Sequence, residues 1–338
     1  MQTFRCQCGA RVFFDNTRCL TCSRDLGFLP DVLLLTDLEK QGTDTFRTSY
    51  GLYRQCLNYA EEGVCNWMVP NDSTDTLCQA CAVNHVVPDF SSPATRDLWG
   101  EVEKAKRRLI YTLGRLKLAV ISKASDPVRG VAFDIKAEEG STHVLTGHED
   151  GVITLNLSEA DPVERERVRL AMRERYRTLL GHFRHEIGHY FWDRWVRDSP
   201  QQLADFRRLF GDETTPYAEA LKRHYAKDPS NTYGDTFISS YAASHPWEDF
   251  AETFAHYLHM EDTLETAHAF GLTNTAGANP SNLRDFQLLM REWAELTIAL
   301  NALNRSMGLL DAYPFTISPT VERKLCFVDM LVTAHAER

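Results

Sequence analysis

Apolar residues recur at helical spacing through most of the chain beyond residue 95. Between residues 97 and 121 they lie three or four positions apart, which predicts a helix. Asp161 and Pro162 begin another such stretch, and this favourable helix start predicts one long helix to about Val196. Residues 273–281 are rich in Gly, Asn and Pro, which indicates a loop. Further helices are predicted at residues 200–210, 216–226, 246–260, 283–307 and 318–335.

A different pattern interrupts these helices. Residues 131–135 and 152–157 alternate or are β-branched, and Gly147 and Gly151 lie at the expected turns. This pattern predicts a small antiparallel sheet. The fold expected is therefore α+β and mostly helical, with the small sheet beside a long helix.

The first 90 residues lack long periodic runs and are rich in Cys, Asn, Asp and Thr. Residues 86–93 are typical of a linker. A chain of 338 residues is longer than one core usually needs, so we expect at least two units. They are a loop-rich region at 1–90, which needs metal to hold it together, and a larger domain at 91–338.

Eight of the nine cysteines precede residue 82, and the ninth, Cys326, reads as a small buried apolar residue. In a reducing compartment such a cluster indicates metal ligands rather than disulfides. A Cys-x-x-Cys turn presents two thiolates to one metal, and four thiolates make a closed structural zinc site. The spacing leaves open whether the two groups of four each bind one zinc or exchange ligands. The eight expected ligands are Cys6, Cys8, Cys19, Cys22, Cys56, Cys65, Cys78 and Cys81.

Two alternatives remain for this region. His85 lies four residues after Cys81 and offers a nitrogen in place of one thiolate. Iron is a minor alternative to zinc, because thiolates bind iron as well. The region is either a recognition module for a partner protein or nucleic acid or a structural appendage held together by metal, and zinc ribbons serve both purposes.

Charge restricts the class of partner. The formal net charge is −10, which disfavours nonspecific binding to nucleic acid. The basic string at residues 104–108 is interpreted as a solvated helix face. The sequence shows no secretory signal and no apolar run long enough to cross a bilayer, so a cytoplasmic protein without membrane contact is expected.

The most informative string is His185-Glu186-Ile187-Gly188-His189. On a helix, positions i and i+4 share a face, so both imidazoles can bind one zinc ion. Glu186 then lies beside the metal as a general base for a water molecule. The string falls inside a predicted helix, and a predicted strand at 152–157 precedes it, as in zincin-type peptidases.

A catalytic zinc needs a third protein ligand and an open position. The extended metzincin motif is excluded, because Trp192 and Trp195 occupy the positions of its Gly and last His. Glu248 and Glu252, one turn apart on a later predicted helix, are better candidates. One of them can bind the metal while the other orients a ligand histidine through its second nitrogen.

The arrangement of Tyr241, Glu248 and Glu252 resembles that of gluzincin peptidases of the anthrax lethal factor type. Residues 180–193 and the Cys-rich start also resemble a bacterial family of zinc-binding metallopeptidases with an N-terminal zinc ribbon. The resemblance implies that His185, His189 and Glu248 bind the catalytic zinc. It also implies that Glu186 is the base and that Tyr241 assists at the oxyanion.

Several polar residues near the motif are candidates for supporting the ligands or touching substrate. They are Glu252, His182, His245 and Asp193. His245 is a candidate for assisting Tyr241 at the oxyanion, with a loop residue ahead of the helix as the alternative. The alternatives are a packing or partly exposed histidine for His182 and an ordinary helix-end charge for Asp193. His256 and His259 are expected to be surface or packing residues.

These observations favour a zinc metallopeptidase that cleaves a peptide or protein, with one catalytic and two structural zinc ions. A zinc-ribbon adaptor that binds peptides with little activity is the first alternative. A zinc amidase acting on a non-peptide substrate is the second, since the same water chemistry serves it.

Overall fold

The computed structural model describes residues 1–89, 92–138, 144–172, 174–226, 235–273 and 286–337. The chain forms two compact units, one of Met1–Thr146 with Thr154–Asp161 and the other of Gly147–Ile153 with Pro162–Arg338. The strands are β1 Phe4–Arg5, β2 Arg11–Val12, β3 Leu26–Leu29, β4 Leu34–Asp37, β5 Glu39–Lys40, β6 Thr45–Thr48, β7 Gly51–Gln55, β8 Met68–Pro70, β9 Asn84–Val86, β10 Ala132–Lys136, β11 Gly147–Glu149 and β12 Val152–Asn156. The α-helices are α1 Leu57–Ala60, α2 Pro93–Arg115, α3 Pro162–Ala171, α4 Leu179–Trp195, α5 Pro200–Phe210, α6 Tyr217–Tyr225, α7 Pro246–Ala269, α8 Phe286–Ser306 and α9 Pro319–His335, and 3-10 turns cover Leu157–Ala160 and Tyr241–Ser244.

The cysteine-rich region consists of short antiparallel strands. β1 pairs with β2, β3 pairs with β4, and β5 to β8 form a four-stranded antiparallel sheet. Strands of two to five residues cannot enclose a large apolar core. One cluster of buried apolar side chains in this region consists of Leu29, Leu38, Phe46, Tyr53 and Met68. Additional cross-links are therefore expected to stabilise this region.

Helix α2 packs on the cysteine-rich region within the first unit. The Tyr111 ring lies 5.2 Å from that of Phe14 and 5.9 Å from that of Phe28. The helix starts at Pro93, four residues before the predicted start at residue 97, and ends at Arg115, six residues before the predicted end at residue 121. The predicted boundary between residues 90 and 91 stays a prediction, although α2 and the cysteines share one compact unit.

One strand pairing in the first unit differs from the expectation of an antiparallel sheet. β9 pairs with β10 in the parallel direction. The reason is topological, because helix α2 connects these two strands and a helical crossover returns the chain to the same end of a sheet. The β9 segment is only three residues long, so its pattern was too short to predict.

The interpretation of residues 104–108 as a solvated helix face was wrong for two of the four basic residues. Lys106 and Arg107 are buried. The Lys106 ammonium lies 2.7 Å from the Glu103 carboxylate, and the Arg107 guanidinium donates to the Val64 carbonyl. Tertiary packing supplied partners for these cations, which the sequence pattern did not reveal.

The predicted long helix from Pro162 to Val196 was also wrong, because two helices, α3 and α4, occupy this range. Thr178 caps the second one, and its hydroxyl accepts a hydrogen bond from the Gly181 amide at 3.0 Å. A threonine in this position satisfies a backbone donor that a continuous helix would have used internally. The motif therefore begins in the second turn of a separate helix and continues into the next turn.

Helices α4 and α7 pack tightly against each other. A Cβ atom added at Gly188 would lie 3.0 Å from the Ala251 Cα and 3.1 Å from the Phe254 Cβ. Gly188 thus permits a close approach of the two helices. Helix α9 packs on the opposite side of α7, where the Lys324 ammonium meets the Asp249 carboxylate at 2.6 Å.

The structure confirms the α+β, mostly helical class with small antiparallel sheets and a cysteine-rich start. Most of the predicted loop at 273–281 and part of the predicted linker at 86–93 lie outside the described residues. Within the described ranges, none of the helices combines the length and apolar character needed to cross a bilayer.

Candidate active site and metal centres

His185, His189 and Glu248 converge in the second unit. Glu248 Oε2 lies 2.9 Å from His185 Nε2 and 3.3 Å from His189 Nε2. The two Nε2 atoms are 3.1 Å apart. Three potential ligand atoms therefore face one small volume, as the sequence interpretation required.

Local structure explains how these side chains meet. The two histidines project from one face of α4 because they are four residues apart. Glu248 lies in the first turn of α7, after Pro246 at the helix start. The ring of His245 caps this helix by accepting from the Trp247 amide at 3.1 Å. The contact between α4 and α7 then brings the carboxylate to the imidazoles.

The donor set fits zinc. Zinc binds imidazole nitrogen and carboxylate oxygen at about 2.0–2.2 Å, which places tetrahedral ligand atoms roughly 3.3–3.5 Å apart. The separations of 2.9, 3.1 and 3.3 Å among the three atoms are close to that spacing. Three protein ligands also leave a fourth position free for water, as in catalytic zinc sites.

Glu252 contacts the outer nitrogen of the first histidine. Its Oε1 lies 2.8 Å from His185 Nδ1, and its Oε2 accepts from the Ser239 hydroxyl. The Ser239 hydroxyl in turn accepts from the Ala242 amide at 3.0 Å. This chain of contacts orients the His185 ring so that Nε2 points to the metal position.

Tyr217 contacts the other oxygen of the candidate carboxylate ligand. Its hydroxyl donates to Glu248 Oε1 at 2.6 Å. Neither Tyr217 nor Ser239 was identified from the sequence. Both belong to segments without a recognisable motif, so only their three-dimensional position reveals them.

Glu186 is buried next to the two histidines on α4. Burial raises the pKa of its carboxyl, His185 and His189 oppose that rise, and nearby carboxylates add to it. Tyr241 lies on the 3-10 turn before α7, with its ring centre 5.8 Å from that of His185. Burial raises the pKa of this phenol as well, so it is a proton donor.

Aromatic rings pack against the second histidine. The Trp247 ring centre lies 3.6 Å from that of His189, and the His148 ring centre lies 6.2 Å from it. His148 belongs to β11, which packs against α4 in the second unit. These rings restrict the His189 side chain to one orientation.

The other histidines and the aspartate considered in the sequence lie outside the group formed by His185, His189 and Glu248. Both nitrogens of His245 are engaged, one by the Trp247 amide and the other by the Thr215 carbonyl at 2.9 Å, and assistance to Tyr241 stays a prediction. Asp193 pairs with Arg197 at 3.2 Å. His182 is partly exposed one turn before His185 and is not in the described metal-binding group. His256 is buried and contacts the Tyr313 hydroxyl at 2.8 Å, as expected of a packing residue.

The cysteines form two groups within the first unit, each made of four consecutive cysteines of the sequence. Sulfur–sulfur distances are 3.6 Å for Cys6 and Cys22 and 3.7 Å for Cys8 and Cys19. In the second group, Cys65 lies 3.8 Å from both Cys78 and Cys81. A tetrahedral zinc site with bonds of about 2.3 Å requires about 3.8 Å between sulfurs, so both groups fit this metal. Neither group includes His85, which contacts Asp134 instead.

Comparison with known families agrees with this geometry. Residues 95–331 match the family described as "Putative zinc-binding metallo-peptidase". The chain belongs to this metallopeptidase family. Residues 3–92 of the same chain match a zinc-ribbon domain family. The resemblance to a zinc-binding metallopeptidase family with an N-terminal zinc ribbon is thus confirmed over both parts of the chain.

Similar proteins occur in mycobacteria. Uncharacterized proteins of Mycobacterium tuberculosis H37Rv and Mycobacterium bovis are each 41% identical to the chain over 340 aligned positions. Each alignment covers 98% of this chain and 95% of the relative. No solved structure matches the chain. The similarity to these relatives therefore extends over both the zinc-ribbon and the metallopeptidase parts.

Proposed function

We propose that the protein is a zinc-dependent peptidase that hydrolyses peptide bonds in a peptide or protein substrate. The observation that carries the proposal is the convergence of His185, His189 and Glu248, whose ligand atoms lie within 4.8 Å of one another. Glu186 is buried on the same helix beside this group. Two imidazoles, one carboxylate and an adjacent carboxyl base are the requirements of zinc-assisted hydrolysis.

The zinc content that we propose is three ions per chain. His185, His189 and Glu248 would hold one catalytic ion, and each group of four cysteines would hold one structural ion. The catalytic ion would lower the pKa of a water molecule and polarise the scissile carbonyl. The sulfur spacings support the structural assignment.

Four side chains of the site have separate roles in the hydrolysis. Glu186 accepts the proton of the attacking water and returns it to the leaving amine. The Tyr241 hydroxyl donates to the oxygen on which negative charge develops. Glu252 and Ser239 hold the His185 ring in place during these steps.

Replacing Glu186 with Gln tests the proposal. The amide keeps the shape of the side chain but cannot accept the proton, so peptide cleavage should fall by about 10²–10⁴-fold. Zinc content should stay at the wild-type level, because Glu186 is not among the proposed ligands. Glu295→Gln, an exposed change on α8, is the matched control and should leave cleavage unchanged.

The alternatives give different results in the same assay. If the wild type binds zinc at the site and cleaves no member of a diverse peptide library, the adaptor interpretation is favoured. Cleavage of non-peptide amides with no peptide cleavage would favour the amidase. Equal peptide cleavage by wild type and Glu186→Gln would contradict the proposed mechanism.

We further propose the cytoplasm as the compartment, because its reducing environment keeps the eight thiols available for metal instead of disulfides. The zinc-ribbon region is proposed as a docking module for a partner protein. Pull-down with the full chain and with a zinc-depleted chain tests this second point, and equal binding by both would contradict it.

A further inference from the structure

Tyr217 is the first residue of α6 and lies far from the motif in the sequence. Its hydroxyl nevertheless donates to Glu248 Oε1 at 2.6 Å. The other oxygen of the same carboxylate, Oε2, faces the two histidines at 2.9 and 3.3 Å. The two oxygens of Glu248 thus have different partners.

This division of partners matters for metal binding. A carboxylate has two oxygens and binds a metal through one or both of them. The tyrosine hydroxyl has a single hydrogen, and Glu248 Oε1 accepts it. Oε1 is thus directed at Tyr217, while Oε2 is directed at the two histidines and the metal position between them. A single carboxylate contact leaves coordination space for water and for the substrate carbonyl.

The Tyr217 ring is held in the orientation that this contact needs. Its centre lies 5.2 Å from that of His245 and 6.1 Å from that of Trp247, both in edge-on arrangements. His245 caps α7 and Trp247 precedes Glu248 in that helix. The residues that fix the start of α7 therefore also fix the tyrosine that contacts its carboxylate.

We propose that Tyr217 is a positioning residue that restrains Glu248 to bind the catalytic metal through Oε2 alone. The inference rests on the proposed function, because it takes Glu248 as the third metal ligand. It gives Tyr217 a task different from that of Tyr241, whose ring lies beside His185. The hydroxyls of the two tyrosines are neighbours and hydrogen-bond to each other. In the proposal Tyr217 acts on the ligand, and Tyr241 acts on the substrate.

The test compares three tyrosine-to-phenylalanine variants of the full chain. Tyr217→Phe removes the hydroxyl from Glu248, Tyr241→Phe removes the proposed oxyanion donor, and Tyr225→Phe is the control. Tyr225 ends the same helix as Tyr217 and is 60% exposed. Zinc affinity of the His–Glu site is measured by competition with a chelator. The Co²⁺-loaded protein supplies a visible absorption spectrum that reports the coordination geometry.

We expect Tyr217→Phe to weaken zinc binding at the His–Glu site by about 10–100-fold. The Co²⁺ spectrum should change, and the zinc of the cysteine sites should be retained. Tyr241→Phe should lower kcat with little change in zinc affinity. Tyr225→Phe should match the wild type in both measurements.

The outcomes separate the two proposals. Unchanged zinc affinity and an unchanged Co²⁺ spectrum in a folded Tyr217→Phe protein would overturn the role of Tyr217. Weakened zinc binding without peptide cleavage by the wild type would uphold that role and reject the peptidase. A wild type that binds no zinc through Glu248 would reject both. Thermal unfolding of Tyr217→Phe checks that its loss of zinc affinity does not come from a loss of the overall fold.

Discussion

Gly188 of α4 lies directly against Ala251 of α7, so closely that an added Cβ would be 3.0 Å from the Ala251 Cα. The helix that carries two candidate ligands therefore touches the helix that carries the third. This contact sets the distance between the imidazoles and the Glu248 carboxylate. A side chain at Gly188 would require the α7 backbone at Ala251 to shift by a few tenths of an ångström.

Gly188→Ala should accordingly destabilise the protein by about 1–3 kcal/mol, since overpacking a close contact forces the backbone to shift. Zinc affinity at the His–Glu site should fall as the ligands separate. Denaturant unfolding and chelator competition measure the two effects. In the control Gly100→Ala, the new Cβ would lie 3.7 Å from Val64, an ordinary contact, so α2 should keep or gain stability. Similar behaviour of the two variants would contradict the packing argument.

Glu252→Gln should weaken zinc binding by about 10–100-fold while the protein stays folded. The amide can still accept from His185 Nδ1, which now lies 2.8 Å from Glu252 Oε1, but without the negative charge that increases the basicity of the ring. Competition with a chelator gives the affinity, and circular dichroism monitors the fold. Zinc affinity equal to that of the wild type would show that the charge of Glu252 has no part in metal binding.

The ion pair of Lys324 and Asp249 is buried, with 2.6 Å between the charged atoms. Burial raises the pKa of Asp249 to about 7, although Lys324 opposes the rise. Lys324→Met leaves the carboxylate without its cation and should cost about 3–5 kcal/mol of unfolding free energy. Since Lys324 opposes the rise in the pKa of Asp249, its loss raises that pKa further. While the folded variant retains a proton that the unfolded chain has released, the free energy of unfolding falls as the pH rises. The cost of Lys324→Met should therefore be larger at pH 8 than at pH 6.

The double variant Asp249→Asn with Lys324→Met is the control for that prediction. It removes both charges, so its loss of stability should be smaller than that of Lys324→Met alone. Unfolding curves at both pH values make the comparison. A double variant less stable than the single one would mean that packing, and not the unpaired charge, dominates.

The buried imidazole of His256 should make the free energy of unfolding depend on pH under acidic conditions. Burial lowers its pKa to about 4, with Glu252 opposing the change. The unfolded histidine has a pKa near 6.5, so between roughly pH 6.5 and 4 the unfolded chain binds a proton that the folded one does not. As the pH is lowered through that window, the free energy of unfolding should fall by up to about 3 kcal/mol. His256→Gln should flatten this fall, whereas the exposed His268→Gln should not. Unfolding curves that decline equally in both variants would contradict the assignment.

Cys78→Ser should release one zinc per chain and destabilise the cysteine-rich region. Cys78 is buried and lies 3.8 Å from Cys65, so a hydroxyl in its place cannot complete the thiolate site. Elemental analysis measures the zinc content, and cleavage by the His–Glu site is followed in parallel. Cys326→Ser is the control, because Cys326 belongs to neither group of four cysteines. Loss of zinc from Cys326→Ser would contradict the grouping.

Residue spacing alone determined much of this protein. His185 and His189 share a helix face because they are four positions apart, and this relation needs no tertiary contact. The paired thiols of the Cys-x-x-Cys turns are likewise local. Helix periodicity also located α5 to α9, though α7 continues to Ala269, beyond the predicted end at 260. Here residues 261–269 continue to pack, with Glu261 and Leu264 buried.

Only the tertiary structure decided which distant groups meet. The contact of Tyr217 with Glu248 spans 31 residues, and that of Ser239 with Glu252 joins a turn to a helix. Such contacts depend on how helices pack, and no spacing rule encodes them. The parallel pairing of β9 with β10 and the break before Thr178 have the same origin. Local chemistry therefore identified the candidate ligands, and long-range packing chose the side chains that hold them in place.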